Sequence, residues 1–239
     1  MNRQEFQEKI NKYTTELGFS FNDMQINQLY KYMELLLEWN EKINLTAITN
    51  PDEIIIKHFI DSITINKYIG EKFKVLDIGT GAGFPGIPEK ILRPDINVVL
   101  ADSLNKRINF LNEVIMKLEL TSISAIHGRA EELGHNKLYR EAFDVVTSRA
   151  VASLNVLLEY MLPFVKKNGI CICMKGSNIE DEIENAKKAL EILGGEIVRV
   201  DKFTLPNTDI LRNIVVIKKI KSTPIKYPRK AGMPAKDPI

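Results

Sequence analysis

The chain has 239 residues, with 33 Lys and Arg against 31 Asp and Glu, a formal net charge of +2, and 44% hydrophobic residues. That length accommodates one α/β domain with an appendage of some tens of residues, and the composition is far from disordered or fibrous extremes. No apolar run approaches the roughly 18 residues of a membrane helix, and the polar start, residues 1–11, lacks the apolar stretch of a secretory signal. The expectation is a cytoplasmic protein without membrane association.

From residue 3 to about 69 the pattern is helical, with Leu29, Met33, Leu36 and Leu37 on a stripe of helical period. Trp39 lies in that stripe and reads as core. Pro51 interrupts it, and Asp52 is placed to cap a second amphipathic helix through Ile56, Phe59, Ile60, Ile63 and Ile65. His58 on this helix reads first as a satisfied, partly buried histidine, with a substrate-side role left open by the nearby Asp61. Residues 1–70 are therefore expected to form an N-terminal helical cap.

After Gly70 short β-branched runs alternate with helical stretches, the texture of repeated βα units on a parallel sheet. Strands are expected at 74–78, 97–101, 123–127, 143–147, 170–174, 196–204 and 213–218. No helix separates the last two, so they should close the sheet as an antiparallel hairpin at one edge. The expected architecture is α/β and Rossmann-like, over residues 71–220: a seven-stranded, mostly parallel sheet with an antiparallel edge strand. Cys171 and Cys173 alternate within one strand, lack metal-ligand spacing, and read as reduced core residues; no metal site is expected. Residues 218–239 carry seven basic residues and one acid, so this end holds +6 while the rest sums to −4. The proline-containing tail 221–239 should be extended and mobile, or ordered only by a partner.

The segment VLDIGTGAGFPGIP, residues 75–88, follows the first strand, where a parallel sheet places its ligand crevice. Gly79, Gly81 and Gly83 permit close backbone approach and positive φ, while Asp77 can organise the turn or hold a cationic amino group. Gly81, Gly83 and Gly86 also fit a dinucleotide fingerprint, which keeps an NAD-linked oxidoreductase as a rival. Pro85 and Pro88 weigh against a diphosphate, which needs free N–H groups at the following helix start. S-adenosylmethionine carries no phosphate and is not disfavoured by these prolines, and Asp102, with Ser103 beside it, ends the second strand 19 residues after Gly83, where a carboxylate can accept both ribose hydroxyls of either cofactor.

Several further segments carry a resemblance over nearly the whole chain: LLLEWNEKINLTAI (35–48), KHFIDSI (57–63), ADSLNKRINFL (101–111), GRAEE (128–132), TSRAVASL (147–154), MKG (174–176) and KYPRKAGMPAKDP in the tail. With the glycine loop, they make the chain resemble the glucose-inhibited division protein B family of bacterial small-subunit ribosomal RNA methyltransferases. The resemblance implies a class I methyltransferase fold and transfer of a methyl group from S-adenosylmethionine to N7 of a guanine in 16S rRNA, on naked RNA or the small ribosomal subunit. By position it assigns cofactor contacts to Gly79, Phe84, Ala130, Glu131 and Arg149. Glu89 departs from relatives, which often carry an aliphatic residue there.

Guanine N7 presents an in-plane lone pair, so its methylation needs no general base, and positioning can dominate. The motifs of exocyclic-amine and pyrimidine-C5 methylation are absent from the sequence. Arg149, after the fourth strand, is the residue expected to act, as a fixed donor to a carboxylate or a guanine edge. Lys106 and Arg107 read equally as phosphate contacts or a solvated helix start, Lys175 as a weak RNA candidate, and Arg229 and Lys230 in the tail as phosphate-binding. A monomer is expected. A non-catalytic RNA-binding assembly factor remains as a further alternative.

Overall fold

The computed structural model of the chain describes residues 1–149, 152–176 and 179–239; Ala150 and Val151, inside the TSRAVASL segment, lie outside them. Among the described residues, β1 (Lys74–Ile78), β2 (Asn97–Asp102), β3 (Ile123–His127), β4 (Phe143–Arg149), β5 (Val165–Lys175), β6 (Gly195–Thr204) and β7 (Leu211–Lys219) form one sheet in the order β3-β2-β1-β4-β5-β7-β6. The pairings from β3 across to β5 are parallel, while β7 runs antiparallel to both β5 and β6. The closing hairpin thus exists, with its reversed strand one place in from the edge and β6 outermost. The chain order reverses between β1 and β4, and a crevice opens beyond the strand ends at such a switch point.

Alternation along the strands divides the core into two layers. On β5, Cys171 and Cys173 face one side and Ile172 and Met174 the other, and both cysteines are free and buried. One layer is covered by α8 (Leu154–Met161) and α9 (Glu180–Leu193). The other is covered by α5 (Gly86–Leu92), α6 (Asn105–Lys117) and the N-terminal helices: Phe6, Leu29, Tyr32 and Leu36 share a cluster with Val75, Ile87, Val98 and Phe110. Trp39 packs edge-on against Phe110, with ring centroids 5.7 Å apart.

Asn2 and Asn22 start α1 (Arg3–Glu16) and α2 (Asp23–Asn40) with reciprocal capping boxes. The next helix is capped two residues earlier than expected. Asn50 accepts from the amides of Asp52 and Glu53 at 2.8 and 3.3 Å, with Pro51 in the first turn, and Asp52 pairs instead with Lys9. The helix runs as α3 (Pro51–Ile54), a π-helical stretch (Ile55–Ile60) and α4 (Asp61–Ile63).

The expectation of a mobile tail is overturned. Arg140 donates to the carbonyls of Thr223, Pro224 and Tyr227, at 2.8, 3.2 and 2.9 Å, and Tyr227 is buried in the core cluster beneath α8. A short helix, α10 (Met233–Lys236), follows. Main-chain carbonyls collected by one guanidinium supply the attachment that the tail's composition conceals.

Glu89, on α5, is 1% exposed, and neither carboxylate oxygen has a hydrogen-bond partner. Burial pushes its pKa well above the ordinary 4.5. The folded state therefore keeps a proton that the unfolded chain releases, and stability from this group falls as pH rises above about 4.5 toward the folded value. Glu89→Leu should stabilise the protein at pH 8 by about 2 kcal/mol, the order of one buried unsatisfied polar group. Thermal melts should show a smaller gain at pH 5 than at pH 8.

Candidate active site

The loop after β1 is built around a carboxylate that water does not reach. Asp77 is fully buried, and its Oδ2 accepts from the Thr80 hydroxyl at 2.6 Å and the Gly86 amide at 2.9 Å. Gly79, Gly81 and Gly83 have φ of +67°, +61° and +99°, values that suit glycine. An added Cβ at Gly81 would meet nothing within 4 Å, whereas one at Gly83 would strike Ile87 and the Tyr32 hydroxyl. Gly81 therefore leaves its backbone bare toward open space, and Gly83 serves the packing of the loop against α2 and α5. Burial raises the pKa of Asp77 to about 6, opposed by the Thr80 and Gly86 hydrogen bonds and by Arg149.

A cavity of about 870 Å³ opens over the ends of β1 and β4. Gly79, Gly81, Phe84, Asp102, Ser103, Ala130, Glu131, Arg149, His58, Arg107 and Lys175 all border it. Asp77 and Gly83 do not line it, and of the two readings of Asp77 the contacts from Thr80 and Gly86 are those of a turn organiser. Lys106, Arg229 and Lys230 lie outside the lining.

Asp102 differs from the open ribose acceptor expected. Its Oδ1 accepts from the Leu104 amide at 2.9 Å, and its Oδ2 accepts from the Gly81 amide at 2.9 Å and from Arg107 at 3.1 Å. Arg107 is thus an ion-pair partner in the cavity wall rather than a solvated helix-start cation. Lys175, read as a weak RNA candidate or a cap on its strand, has a 7% exposed side chain bound to Glu182 and the Ala152 carbonyl, both at 2.6 Å, as a strand-end contact would be. Arg229, expected to meet phosphate, is held by Glu159 at 2.7 Å. Lys106 and Lys230 remain exposed.

On the opposite wall the 51–63 helix meets the end of β4. Arg149 donates to the Lys57 carbonyl at 3.1 Å, to Asp61 Oδ2 at 3.2 Å and to His58 Nδ1 at 3.2 Å, and its guanidinium lies 5.0 Å from the centroid of the Phe84 ring. Phe84 also stacks on His58, centroids 4.4 Å apart and planes 15° from parallel. Arginine only donates, so His58 Nδ1 must accept and its Nε2 carries the proton, given to Thr46 Oγ1 at 2.9 Å. Burial, then the Arg149 charge, lower the His58 pKa to about 3, so the ring is neutral. Asp61, 2% exposed, binds a second guanidinium through Oδ1: Arg212 Nε, at 2.9 Å.

Thr46 and Arg212 do not stand out in the sequence. Arg212 has a usable signal there: β7 runs antiparallel, so its first residues lie at the same edge as the last residues of β1 and β4, and a charged residue at that edge faces the crevice. Thr46 comes from an irregular segment, placed by Asn40 Oδ1, which accepts from the amides of Leu45 and Thr46 at 2.8 and 2.9 Å.

The start of α5 is closed to a diphosphate. Its Gly86 amide is committed to Asp77, the Ile87 amide to the Gly83 carbonyl at 2.8 Å, and Pro88 has none. The dinucleotide reading of Gly81, Gly83 and Gly86 loses its anion site for that reason. Among the described residues, no group of three or more His, Cys, Asp or Glu could hold a metal ion.

A family model described as GidB, rRNA small subunit methyltransferase G, matches residues 25–211. The chain is similar to the ribosomal RNA small subunit methyltransferase G of Desulforamulus reducens, 57% identical with 94% of each chain covered. It is 52% identical to that of Clostridium botulinum strain Loch Maree, covering 98% of this chain and 99% of the relative. Among solved structures, a SAM-dependent methyltransferase from Aquifex aeolicus superposes with a TM-score of 0.54 at 17% identity, covering 77% of this chain and 98% of that one. The Pyrococcus horikoshii TYW2 complex with MeSAdo gives a TM-score of 0.55 at 14% identity, covering 69% and 63%. Both share the methyltransferase fold with this chain.

Replacing Asp77 separates its two roles. Asp77→Ala strands the buried Gly86 amide and Thr80 hydroxyl and should cost about 3 kcal/mol in denaturant unfolding, whereas Asp77→Asn keeps an acceptor for both and should cost less. Because the folded pKa of about 6 exceeds the ordinary 3.8, the carboxylate makes stability fall as pH rises through that interval. Asp77→Asn should remove this part of the pH dependence.

Proposed function

The chain belongs to the GidB family, the rRNA small subunit methyltransferases G, and from that premise we propose that it transfers the methyl group of S-adenosylmethionine to N7 of one guanine in 16S rRNA. The observation that carries this reading is the pairing, across one cavity, of a bare glycine loop with a buried arginine and a histidine that is unavailable as a base. S-adenosylmethionine supplies an electrophilic methyl group on a sulfonium.

The residues present fit that group. Gly79 borders the cavity and Gly81 leaves room for close backbone approach, Asp102 lies at the tip of β2 for the ribose, and Ala130 and Glu131 follow β3, where an adenine ring would rest. Asp102 Oδ2 already serves the Gly81 amide and Arg107, so ribose hydroxyls bound there would have to compete with Arg107 for that oxygen. Phe84, stacked on His58, shapes the boundary between the donor side and the base side.

On the base side, Arg149 is held by three acceptors, so its planar fork is oriented before RNA arrives. His58 has its lone pair filled by Arg149 and its proton given to Thr46, and takes up no proton during the reaction. Guanine N7 asks for none to be removed. Catalysis then rests on holding the ring in line with the methyl group, and an oriented site can supply several kcal/mol in this way. The exposed Lys106 and Lys230 serve RNA phosphates. Among the described residues no helix is long and apolar enough to cross a membrane, and the proposed place of action is the cytoplasm, as a monomer on 16S rRNA or the small subunit.

Mass spectrometry of 16S rRNA from a deletion strain tests the reading: one 7-methylguanosine should vanish and return on complementation, and an unchanged content refutes it. Arg149→Lys should lower kcat/KM about 100-fold, the scale for losing one preorganised donor, measured by labelled methyl transfer. Because the pKa of His58 is about 3, kcat/KM should show no inflection near pH 6.5 that His58→Gln removes.

A further inference from the structure

Two elements that border the cavity, α7 (Ala130–Leu133) and α8, are fastened by residues of the tail. Glu131, on α7, and Tyr160, on α8, both line the cavity. The Gly232 amide donates to Glu131 Oε1 at 3.0 Å. Arg229 donates to Glu159 through its backbone amide at 2.7 Å, Nε at 3.0 Å and an outer guanidinium nitrogen at 2.7 Å. Glu159 is 1% exposed, so without Arg229 the fold would carry an uncompensated buried carboxylate. Further contacts secure the same join: His135 Nε2 donates to the Pro228 carbonyl at 2.7 Å, and a Cβ added at Gly134 would lie 2.8 Å from the Pro228 ring.

We propose that residues 222–237 form a built part of the methyl-donor site, a strap whose docking on Glu131 and Glu159 and the binding of S-adenosylmethionine reinforce each other. The strap fixes the rotamer of Glu131 by occupying one carboxylate oxygen, and it locks α7 against α8 so that both present their cavity residues together. A donor seated on Glu131 in turn favours the docked strap, because the carboxylate is then held from both sides. Gly232 has φ +83°, a conformation that lets the tail turn and aim its amide at Glu131. The inference rests on the donor lying against Glu131.

Coupling of this kind is reciprocal: the factor by which freeing the strap weakens donor binding equals the factor by which the donor protects the strap from opening. Hydrogen exchange on the full-length protein, with and without saturating S-adenosylmethionine, should show the amides of 223–232 slowed by the donor. Titration calorimetry should show Arg229→Ala binding S-adenosylmethionine about tenfold more weakly, within the usual range of such couplings. Strap amides whose exchange is unaltered by bound donor would overturn the proposal, and that measurement needs no variant to fold. Glu131→Ala isolates the premise. If it binds the donor as tightly as the parent chain, the donor does not lie there and the proposal falls with that placement. If it binds weakly while the strap stays insensitive to donor, the coupling alone is wrong.

Discussion

At the end of β1 the chain must leave the sheet, expose its backbone to the cavity and begin a helix within eight residues. It does so around the carboxylate of Asp77, which receives the hydroxyl of Thr80 from inside the turn and the amide of Gly86 from its far end. Because these two donors come from opposite ends of the loop, their meeting point fixes where Gly81 can lie. Asp102 then takes the Gly81 amide, so the tips of β1 and β2 are joined through the loop itself. The positive φ values follow from this geometry. A side chain at Gly86 would be pressed against the Asp77 carboxylate itself, 3.0 Å from its Oδ2.

The other half of the site is held by charge as well. Asp61 stands between Arg149 at the end of β4 and Arg212 at the start of β7, and is carried by a helix from the N-terminal region. Two strands far apart in sequence are thereby tied to a third element through one carboxylate. The interaction is nearly out of solvent, where an ion pair with complete hydrogen bonding is rigid and a broken one is costly. The neutral histidine has the same origin: with a guanidinium directed at Nδ1 and little water, a second positive charge on His58 is disfavoured.

Much of this is legible in the sequence where the physics is local. The bounds of β1 and β3 coincide with the apolar runs that announce them, and Cys171 and Cys173 sit where strand alternation puts them. The glycine loop marks its own place in the sheet, because an apolar strand that runs straight into spaced glycines must turn sharply at the strand's carboxyl end. What escapes a reading of the sequence depends on partners distant in the chain. Arg107 and Lys175 look available to phosphate until Asp102 and Glu182 are brought beside them. The tail has a basic, proline-containing composition, and nothing in it reveals that Arg140 gathers its carbonyls or that Glu159 needs Arg229. Thr46 becomes visible only with the tautomer of His58.

Tyr32, in the second helix, donates its hydroxyl to the carbonyl of Ala82 in the glycine loop, and its ring stands against Phe59, Phe84 and Phe110. The helices of the first 70 residues therefore form one wall of the glycine loop. A module joined to a catalytic core by a linker can be exchanged, and a new substrate acquired, while the core is left intact. Here such an exchange would unseat the loop along with the module. A change in what this scaffold acts on would have to come at the rim of the cavity, because the inner helices hold the loop in place.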